Sequence, residues 1–529
     1  MQWWRDAVVY QIYVRSFSDS DGDGIGDLQG IRARLGYLEL LGADALWLSP
    51  FFTSAMVDHG YDVADPRSVD PVFGDMDTFD GLIADAHEHG LRVTIDLVPN
   101  HTSSEHEWFR AALESSPGSP ERARYHFRGG RGPDGAEPPN NWTSIVGGPA
   151  WTRVQDPDSD GEWNPGEWYL HLLTPDQPDV NWTNPEVWAD LEKTLRFWLD
   201  HGVDGFRIGI ADGMSKPEGL PDIEDCPEDA GAAAIGLFAP VDGHPRFDDA
   251  GVHDIHRMIR AVLDHYPGRM VVGEVRIGDS ERFARYLRPD ELHLAFNFRL
   301  VQAPFDADAV RTAIEQSLAA VEEVGAPPTW TLSNHDVSRP VTRYGGGPPG
   351  QARARAMVLV ELALPGVVYL FNGEELGLPD VELPDAVLQD PQWERSGHTE
   401  RGRDGCRVPV PWEGGAPGYG FTSSQPWLPM PPEYGRLTVA DQLEDTASTL
   451  SLIRRAVELR KTHPGFDGRS VEWFGAPAGC LAFRRTGSTL VCALNASPNL
   501  VPLPPGEVLL VSGPLKGDLL PPNTAAWLA

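Results

Sequence analysis

Short apolar, β-branched segments alternate with helical periodicities along most of this chain of 529 residues. Residues 93–98 (VTIDLV) are typical of a buried strand, and the spacing of Phe79, Leu82 and Ile83 before them is typical of a helix. Eight such strand segments occur, at residues 8–14, 43–48, 93–98, 203–208, 270–274, 292–297, 329–332 and 367–371. Eight strand and helix units predict an α/β fold, a closed (β/α)8 TIM barrel, with a doubly wound parallel sheet as the alternative.

Two segments depart from this alternation. Residues 102–173 are rich in Gly, Pro, Asn and Trp and lack clear periodicity, so we expect an inserted, loop-rich domain after the third strand. From residue 465 onward helical patterns cease, and alternating apolar runs predict an antiparallel sheet. The predicted organisation is a barrel of residues 1–101 and 174–464, an inserted domain of residues 102–173, and a C-terminal β domain of residues 465–529.

The charge of the chain restricts its partners. Its 78 acidic and 43 basic residues give a formal net charge of −35 at pH 7. This charge repels phosphate backbones and anionic lipids, so we expect neither a nucleic acid nor a membrane partner. No apolar run approaches the length of a membrane span, and the N-terminus enters a strand-like segment without a basic leader. The four isolated cysteines suit neither a disulfide framework nor a zinc site, and we therefore expect a cytoplasmic protein with reduced thiols at Cys226, Cys406, Cys480 and Cys492.

Charged and imidazole side chains stand at the ends of four predicted strands. His101 follows the third strand, Arg207 lies in the fourth, Glu274 ends the fifth, and His335 and Asp336 follow the seventh. A single charged residue in an apolar strand can be a structural ion pair. Several at the same end of a barrel, where such folds carry out their chemistry, predict an active site. Paired carboxylates with imidazole and guanidinium neighbours suit the cleavage of a glycosidic bond.

Five segments resemble those of one enzyme family in the same order. They are residues 96–101 (DLVPNH), 177–182 (QPDVNW), 205–208 (GFRI), 273–275 (GEV) and 333–336 (SNHD). With them, the chain resembles an α-glucosidase of the α-amylase family of glycoside hydrolases, close to the oligo-1,6-glucosidase group. The resemblance runs nearly end to end and implies a retaining enzyme that acts on small α-glucosides.

The resemblance also implies roles for individual residues. Glu274 would be the general acid/base and Asp336 the stabiliser of the transition state. His101 and His335 would bind the same glucose unit, and Arg207 would orient the nucleophile.

Two further segments resemble the family's loops around the bound sugar. In residues 58–62 (DHGYD), Tyr61 would stack beneath the sugar and Asp62 would bind its terminal hydroxyl groups. In residues 402–407 (GRDGCR), Arg403 would pair with that aspartate and close the pocket. A closed pocket implies exo action, with one glucose removed at a time from a non-reducing end.

Position 209 departs from the family pattern. The family places its nucleophilic Asp two residues after Arg207, where this chain has Gly209. Loss of a covalent nucleophile slows chemistry by several orders of magnitude, and a loss of about 10⁵-fold corresponds to about 7 kcal/mol. Asp212 would have to fold back several ångströms to replace it. Because the neighbouring site residues are kept, we predict an impaired hydrolase or a glycosynthase, with a sugar-binding pseudoenzyme as the alternative.

An acidic loop follows the first strand. Its alternating carboxylates and glycines suit a hard cation, Ca²⁺ better than Mg²⁺, with a solvated acidic turn as the alternative. The family resemblance implies that the ligands of this structural ion are the side chains of Asp19, Asp21, Asp23 and Asp27 and the carbonyl of Ile25.

Specificity is less sharply indicated. Val146 and Leu173 stand where aromatic residues are expected, which either widens the space for the leaving group or reflects simple repacking. Ile210 resembles the form found with α-1,6 preference, whereas residues 211–215 resemble relatives that act broadly or on α-1,4 bonds. A transglucosidase that uses sugar or alcohol acceptors is a second hypothesis. We expect a monomer or a homodimer.

Overall fold

The computed structural model describes residues 2–154, 166–223 and 243–529. Cys226 and part of the predicted inserted domain lie outside these residues. The three described cysteines, Cys406, Cys480 and Cys492, are free thiols, as predicted.

Eight parallel strands form the centre of the molecule. They are β1 (Val8–Ile12), β2 (Ala45–Leu48), β3 (Arg92–Leu97), β4 (Gly205–Ile208), β5 (Met270–Glu274), β6 (Leu294–Phe296), β7 (Thr329–Thr331) and β8 (Val367–Phe371). Their order in the sheet is β6-β5-β4-β3-β2-β1-β8-β7, with every hydrogen-bonded pair parallel. Sequential neighbours in one direction make a nearly closed barrel, so the predicted TIM barrel is confirmed and the doubly wound alternative is wrong.

Helices surround the strands, and their ends follow local sequence signals. For example, the Asp75 carboxylate accepts a hydrogen bond from the Thr78 N–H and caps the helix that buries Phe79 and Leu82. The α-helices of the described residues are α1 (Leu28–Ala33), α2 (Leu35–Leu41), α3 (Met76–Glu88), α4 (Glu107–Glu114), α5 (Pro185–Asp200), α6 (Val252–Leu263), α7 (Ser280–Arg285), α8 (Arg299–Gln302), α9 (Ala307–Glu322), α10 (Pro340–Arg343), α11 (Gly347–Ala363), α12 (Pro391–Arg395), α13 (Val439–Glu444) and α14 (Thr449–Thr462). None of these helices combines the length and apolarity needed to cross a bilayer.

Smaller antiparallel sheets lie outside the barrel. Phe52–Ser54 pairs with Val63–Val69, and a three-stranded sheet of Phe127–Gly129, Glu167–Leu170 and Trp151–Arg153 follows β3 in the chain. The C-terminal strands are Val471–Trp473, Cys480–Arg485, Val491–Asn495, Thr524–Leu528 and Val508–Val511 in one sheet, and Val501–Pro502 with Leu519–Leu520 in another. The C-terminal sheet packs on α11, where Trp527 Nε1 donates a hydrogen bond to the Leu359 carbonyl and Arg485 donates to the Ala363 carbonyl.

The barrel interior has an apolar and a polar half. Val9, Trp47, Val272, Phe296 and Tyr369 belong to one buried group inside the strands. The Trp47 ring lies 5.8 Å from that of Phe296 and 6.0 Å from that of Tyr369. Toward the carboxyl ends of the strands the inward positions become polar. Apolar side chains therefore fill one end of the barrel, and charged side chains lie at the other end.

Candidate active site

The guanidinium group of Arg207 contacts Glu274, and it lies close enough to His335 and Asp336 to interact with them electrostatically. Because side chains alternate along a strand, Phe206 and Ile208 pack toward the helices and Arg207 faces the barrel interior. Arg207 Nη1 lies 2.6 Å from Oδ1 of Asp96 on β3. Its Nη2 contacts Oε1 of Glu274, the last residue of β5. The side chains of Arg207 and Asp96 are fully buried, so this network is sheltered from water.

Glu274 lies in surroundings suited to an acid catalyst. Burial raises the pKa of Glu274 to about 7, although the contact with Arg207 acts in the opposite direction and the charge of Asp336 adds to the rise. Near neutral pH this carboxyl group therefore exists in both protonation states, as a group that gives and takes a proton must.

Asp336 stays ionised in the same site. Arg403 Nη1 and Arg407 Nη2 lie 2.9 and 2.8 Å from its Oδ1, and His335 Nε2 lies 3.3 Å from its Oδ2. Burial opposes the charge, but the guanidinium groups of Arg403 and Arg407 outweigh it and hold the pKa of Asp336 well below its ordinary value. Glu274 and Asp336 thus have pKa values shifted in opposite directions, which separates an acid from a permanent anion.

An aromatic and imidazole wall completes this side of the site. The Tyr61 ring stacks on His335 with centroids 5.2 Å apart and planes 1° apart, and its hydroxyl donates to Asp96 Oδ2 at 2.9 Å. His101 Nε2 lies 3.0 Å from the Tyr61 carbonyl oxygen and 3.2 Å from Gln177 Nε2. Burial lowers the pKa of both histidines, so neutral rings are available to hydrogen-bond an uncharged ligand.

Arg403 pairs with Asp58, so the predicted pairing of Arg403 with Asp62 is wrong. Arg403 Nη2 lies 2.8 Å from Asp58 Oδ1, and its Nε lies 2.6 Å from Asp390 Oδ2. The Asp62 carboxylate instead accepts hydrogen bonds from the backbone N–H groups of Val57 at 3.1 Å and Asp58 at 3.0 Å. Asp62 therefore holds its own loop in shape, and Asp58 is the aspartate that pairs with Arg403.

Gly209 directly follows β4, beside Arg207. A Cβ atom added to Gly209 would lie 3.0 Å from Nη1 and 3.6 Å from Cζ of Arg207, and its three closest contacts within 4 Å are all atoms of that guanidinium group. The backbone of Gly209 does not have the positive φ that would exclude other residues. A side chain at this position would therefore point at the guanidinium group.

Asp212 does not substitute for a residue at 209. Its Oδ2 accepts a hydrogen bond from the Arg276 N–H at 2.9 Å, its Oδ1 accepts one from Arg276 Nη2 at 2.8 Å, and the carboxylate is fully buried. Between Gly209 and Asp212, Ile210 has a φ of 51°, which is uncommon for a β-branched residue and turns the chain sharply after β4. Asp212 thus forms an ion pair with Arg276, the second residue after Glu274.

Some site residues escaped the sequence analysis. Arg407 and Asp58 lie within the two quoted loop segments, and their charges were the signal that could have found them. Asp390 carries no such signal, since it lies 13 residues before Arg403 in a separate segment. Val146 and Leu173 are 2% and 7% exposed within the apolar core, which favours the repacking interpretation.

The acidic loop brings three of its four aspartates together. One carboxylate oxygen from each of Asp19, Asp21 and Asp27 lies within 4.8 Å of the others. Asp23 lies outside this group of three, and its Oδ1 accepts a hydrogen bond from the Ile25 N–H at 2.7 Å. Asp19, Asp21 and Asp27 likewise accept hydrogen bonds from backbone N–H groups. The three carboxylates fit a hard cation in their chemistry and spacing.

Comparisons with known proteins identify the family. The family profile described as alpha amylase, catalytic domain, matches residues 11–467. The chain is 40% identical over 511 residues to the "Probable alpha-glucosidase" of Rhizobium meliloti (strain 1021), covering 94% of this chain and 89% of that protein. It is 35% identical over 494 residues to the oligo-1,6-glucosidase of Parageobacillus thermoglucosidasius, covering 87% and 84%.

Solved structures agree with this assignment. The α-glucosyl transfer enzyme XgtA superposes with a TM-score of 0.88 at 37% identity and full coverage of both chains. The trehalulose synthase MutB from Pseudomonas mesoacidophila MX-45 gives a TM-score of 0.86 at 29% identity, covering 100% of this chain and 99% of that one. With a family profile matched over most of its length and close relatives along nearly all of it, the chain belongs to the α-amylase family of glycoside hydrolases.

Proposed function

We propose that the chain has the framework of a retaining, exo-acting α-glucosidase for small α-glucosides, and that Gly209 strongly impairs its hydrolysis. The observation that carries the proposal is the arrangement around Arg207: Glu274 with a pKa of about 7 contacts the guanidinium group, and the position beside that group carries no carboxylate. Everything that the reaction requires is kept except the atom that attacks the sugar.

The roles follow from the charges. Glu274, when protonated, gives its proton to the glycosidic oxygen as the bond breaks. The ionised Asp336 stabilises the positive charge that develops on the sugar ring. Retention requires a second carboxylate about 5–5.5 Å from the acid, and glycine provides none.

The exo mode rests on the ion pair of Arg403 and Asp58. Both side chains are less than 10% exposed and are joined at 2.8 Å. Paired across the end of the pocket, they stop the sugar chain from continuing past the first glucose, and their charged groups bind its terminal hydroxyls.

Restoring the nucleophile tests the proposal. We expect Gly209→Asp to raise the hydrolysis of 4-nitrophenyl α-glucoside by about 10³-fold or more, because covalent catalysis is regained. Gly209→Asn is the matched control, since it has the same shape without a nucleophilic carboxylate. A folded Gly209→Asp protein as inactive as the parent would overturn the proposal and favour a sugar-binding protein.

Glucosyl transfer is the second candidate, because XgtA is an α-glucosyl transfer enzyme and MutB is a trehalulose synthase. Product analysis of the Gly209→Asp protein at high substrate concentration separates the two activities. Free glucose marks hydrolysis, and oligosaccharides or alkyl glucosides formed with sugar or alcohol acceptors mark transfer.

We also propose a structural cation, Ca²⁺ or less favourably Mg²⁺, at Asp19, Asp21 and Asp27. The three carboxylates supply hard oxygen ligands, and the proposed reaction does not need a metal. Asp23 and the Ile25 carbonyl, which the family resemblance includes, would have to turn toward the ion.

A further inference from the structure

The space beside Gly209 faces the guanidinium group of Arg207, which supplies the three atoms closest to a Cβ built at that glycine. We infer that this space binds a small monovalent anion of carboxylate size, and that the bound anion acts as the nucleophile that the chain lacks. The inference rests on the proposed function and goes further by assigning a second ligand to the site.

The site beside Gly209 has the shape of an aspartate side chain's surroundings. A Cβ atom at 209 would meet Arg207 Nη1 at 3.0 Å and its Cζ and Nη2 at 3.6 and 3.9 Å. Acetate has the same heavy atoms as an aspartate side chain beyond Cα, and formate has one fewer. A contact of 3.0 Å is tight for a carbon atom, so the guanidinium group would shift by a few tenths of an ångström to admit either anion, whose charge would then lie against it.

Arg207 has hydrogen-bonding capacity that the described residues do not use. Its side chain is 2% exposed, and among the described residues its Nε has no hydrogen-bond partner. Asp96 takes one bond from Nη1, and Glu274 contacts Nη2. When Glu274 carries the proton needed for acid catalysis, Asp96 alone matches the guanidinium charge, and a small anion supplies the missing partner.

Within residues 2–154, 166–223 and 243–529, the carboxylates of Asp212, Asp336 and Asp96 already have other partners. Asp212 is held by Arg276, and Asp336 is held by Arg403 and Arg407. Asp96 accepts hydrogen bonds from Trp47 Nε1 and the Tyr61 hydroxyl in addition to Arg207.

A carboxylate such as formate would enter the reaction as a co-reactant and be released again at its end. An oxygen of formate forms a bond to C1 on the β face of the bound α-glucoside, the C1–O bond to the leaving group breaks, and Glu274 gives that oxygen its proton. Water then cleaves the resulting β-glucosyl formate, which releases glucose and returns formate. With azide in place of formate, the same first step gives a β-glucosyl azide, which is stable to water.

The experiment compares the parent chain with sodium formate, acetate, azide, chloride or sulfate at matched ionic strength, using 4-nitrophenyl α-glucoside. We expect formate to raise release of nitrophenol by about 10-fold or more with saturation, as binding to a site requires. NMR should identify the azide product as the β anomer. An equal rise with chloride and sulfate, or an α-configured azide, would overturn the inference.

Two variants separate this inference from the proposed function. Gly209→Asp should be active without formate and gain nothing from it, and Gly209→Val, which fills the space with carbon, should fold and show no response. If Gly209→Asp is active while the parent ignores formate and azide, the anion site is wrong and the glucosidase framework stands. If Gly209→Asp and the parent are both inactive under every condition, the proposed function itself fails.

Discussion

The guanidinium group of Arg207 forms ion pairs with two carboxylates, those of Asp96 and Glu274. An aspartate at 209 would compete for the same group, because its Cβ would already lie 3.0 Å from Nη1. We therefore expect Gly209→Asp to loosen the contact between Arg207 and Glu274. If position 209 is the nucleophile position, as proposed, the glycine would change the partners of Arg207 as well as leave the site without a nucleophile.

The two aspartates of the loop 58–62 are predicted to behave differently. In the Gly209→Asp protein, Asp58→Asn should lower kcat/KM by about 10²-fold, because the ion pair with Arg403 is lost at the sugar. Asp62→Asn should mainly lower stability, by about 1–3 kcal/mol, since its carboxylate holds backbone N–H groups. Steady-state kinetics and thermal unfolding of both variants check this, and a larger kinetic loss in Asp62→Asn would contradict it.

At the scale of elements, strands were easier to predict than the loops that follow them. Buried β-branched runs have a strong signal, and all eight predicted strands are present with ends shifted by a few residues. Strand alternation then makes Arg207 and Glu274 face inward. The pairing of Asp58, Arg403 and Asp390 depends on how two distant loops turn, for which local sequence has no signal.

The acidic loop after β1 should respond to metal removal. If Asp19, Asp21 and Asp27 hold a cation, a chelator should lower Tm, and Ca²⁺ should restore it more fully than Mg²⁺. Asp21→Asn should abolish this response, whereas the same change at the exposed Asp290 should leave it intact. A Tm that is indifferent to chelator and calcium would identify the loop as a solvated turn.

At the scale of the whole molecule, the C-terminal sheet is part of the barrel's support. Arg485 donates hydrogen bonds to the carbonyls of Ala363 and Leu364, and Arg460 on α14 donates to those of Leu362 and Leu364. These carbonyls lie at the C-terminal end of α11, where no backbone N–H group of the helix remains to donate a hydrogen bond to them. The sequence indicated a separate antiparallel sheet, but not this connection, because buried arginines that serve distant carbonyls have no periodic pattern.

Two buried carboxyl groups should make the global stability depend on pH. Glu361 on α11 is fully buried with neither oxygen hydrogen-bonded within the described residues, and burial raises its pKa well above the ordinary value. Burial likewise raises the pKa of Glu374 to about 8. Between the ordinary pKa of about 4.5 and these raised values the folded state binds more protons than the unfolded state, so stability falls as pH rises.

Glu361→Gln removes one of these groups at nearly constant shape. We expect its free energy of unfolding to match that of the parent near pH 5 and to exceed it by about 1–2 kcal/mol near pH 8. Glu322→Gln, on the exposed end of α9, is the control and should show no such difference. Denaturant unfolding across this pH range checks the prediction, and a difference independent of pH would refute it.

If the ion pair of Arg403 and Asp58 closes one end of the pocket, as proposed, it also determines how readily a long polysaccharide reacts. A pocket closed at one end admits a polymer only by its tip, so a dextrin of many units presents no more reactive bonds at any moment than a disaccharide. The turnover rate would depend on the molar concentration of the substrate and not on the mass of each substrate molecule. Other enzymes that debranch or shorten the polymer would then increase the number of chain ends on which this enzyme can act.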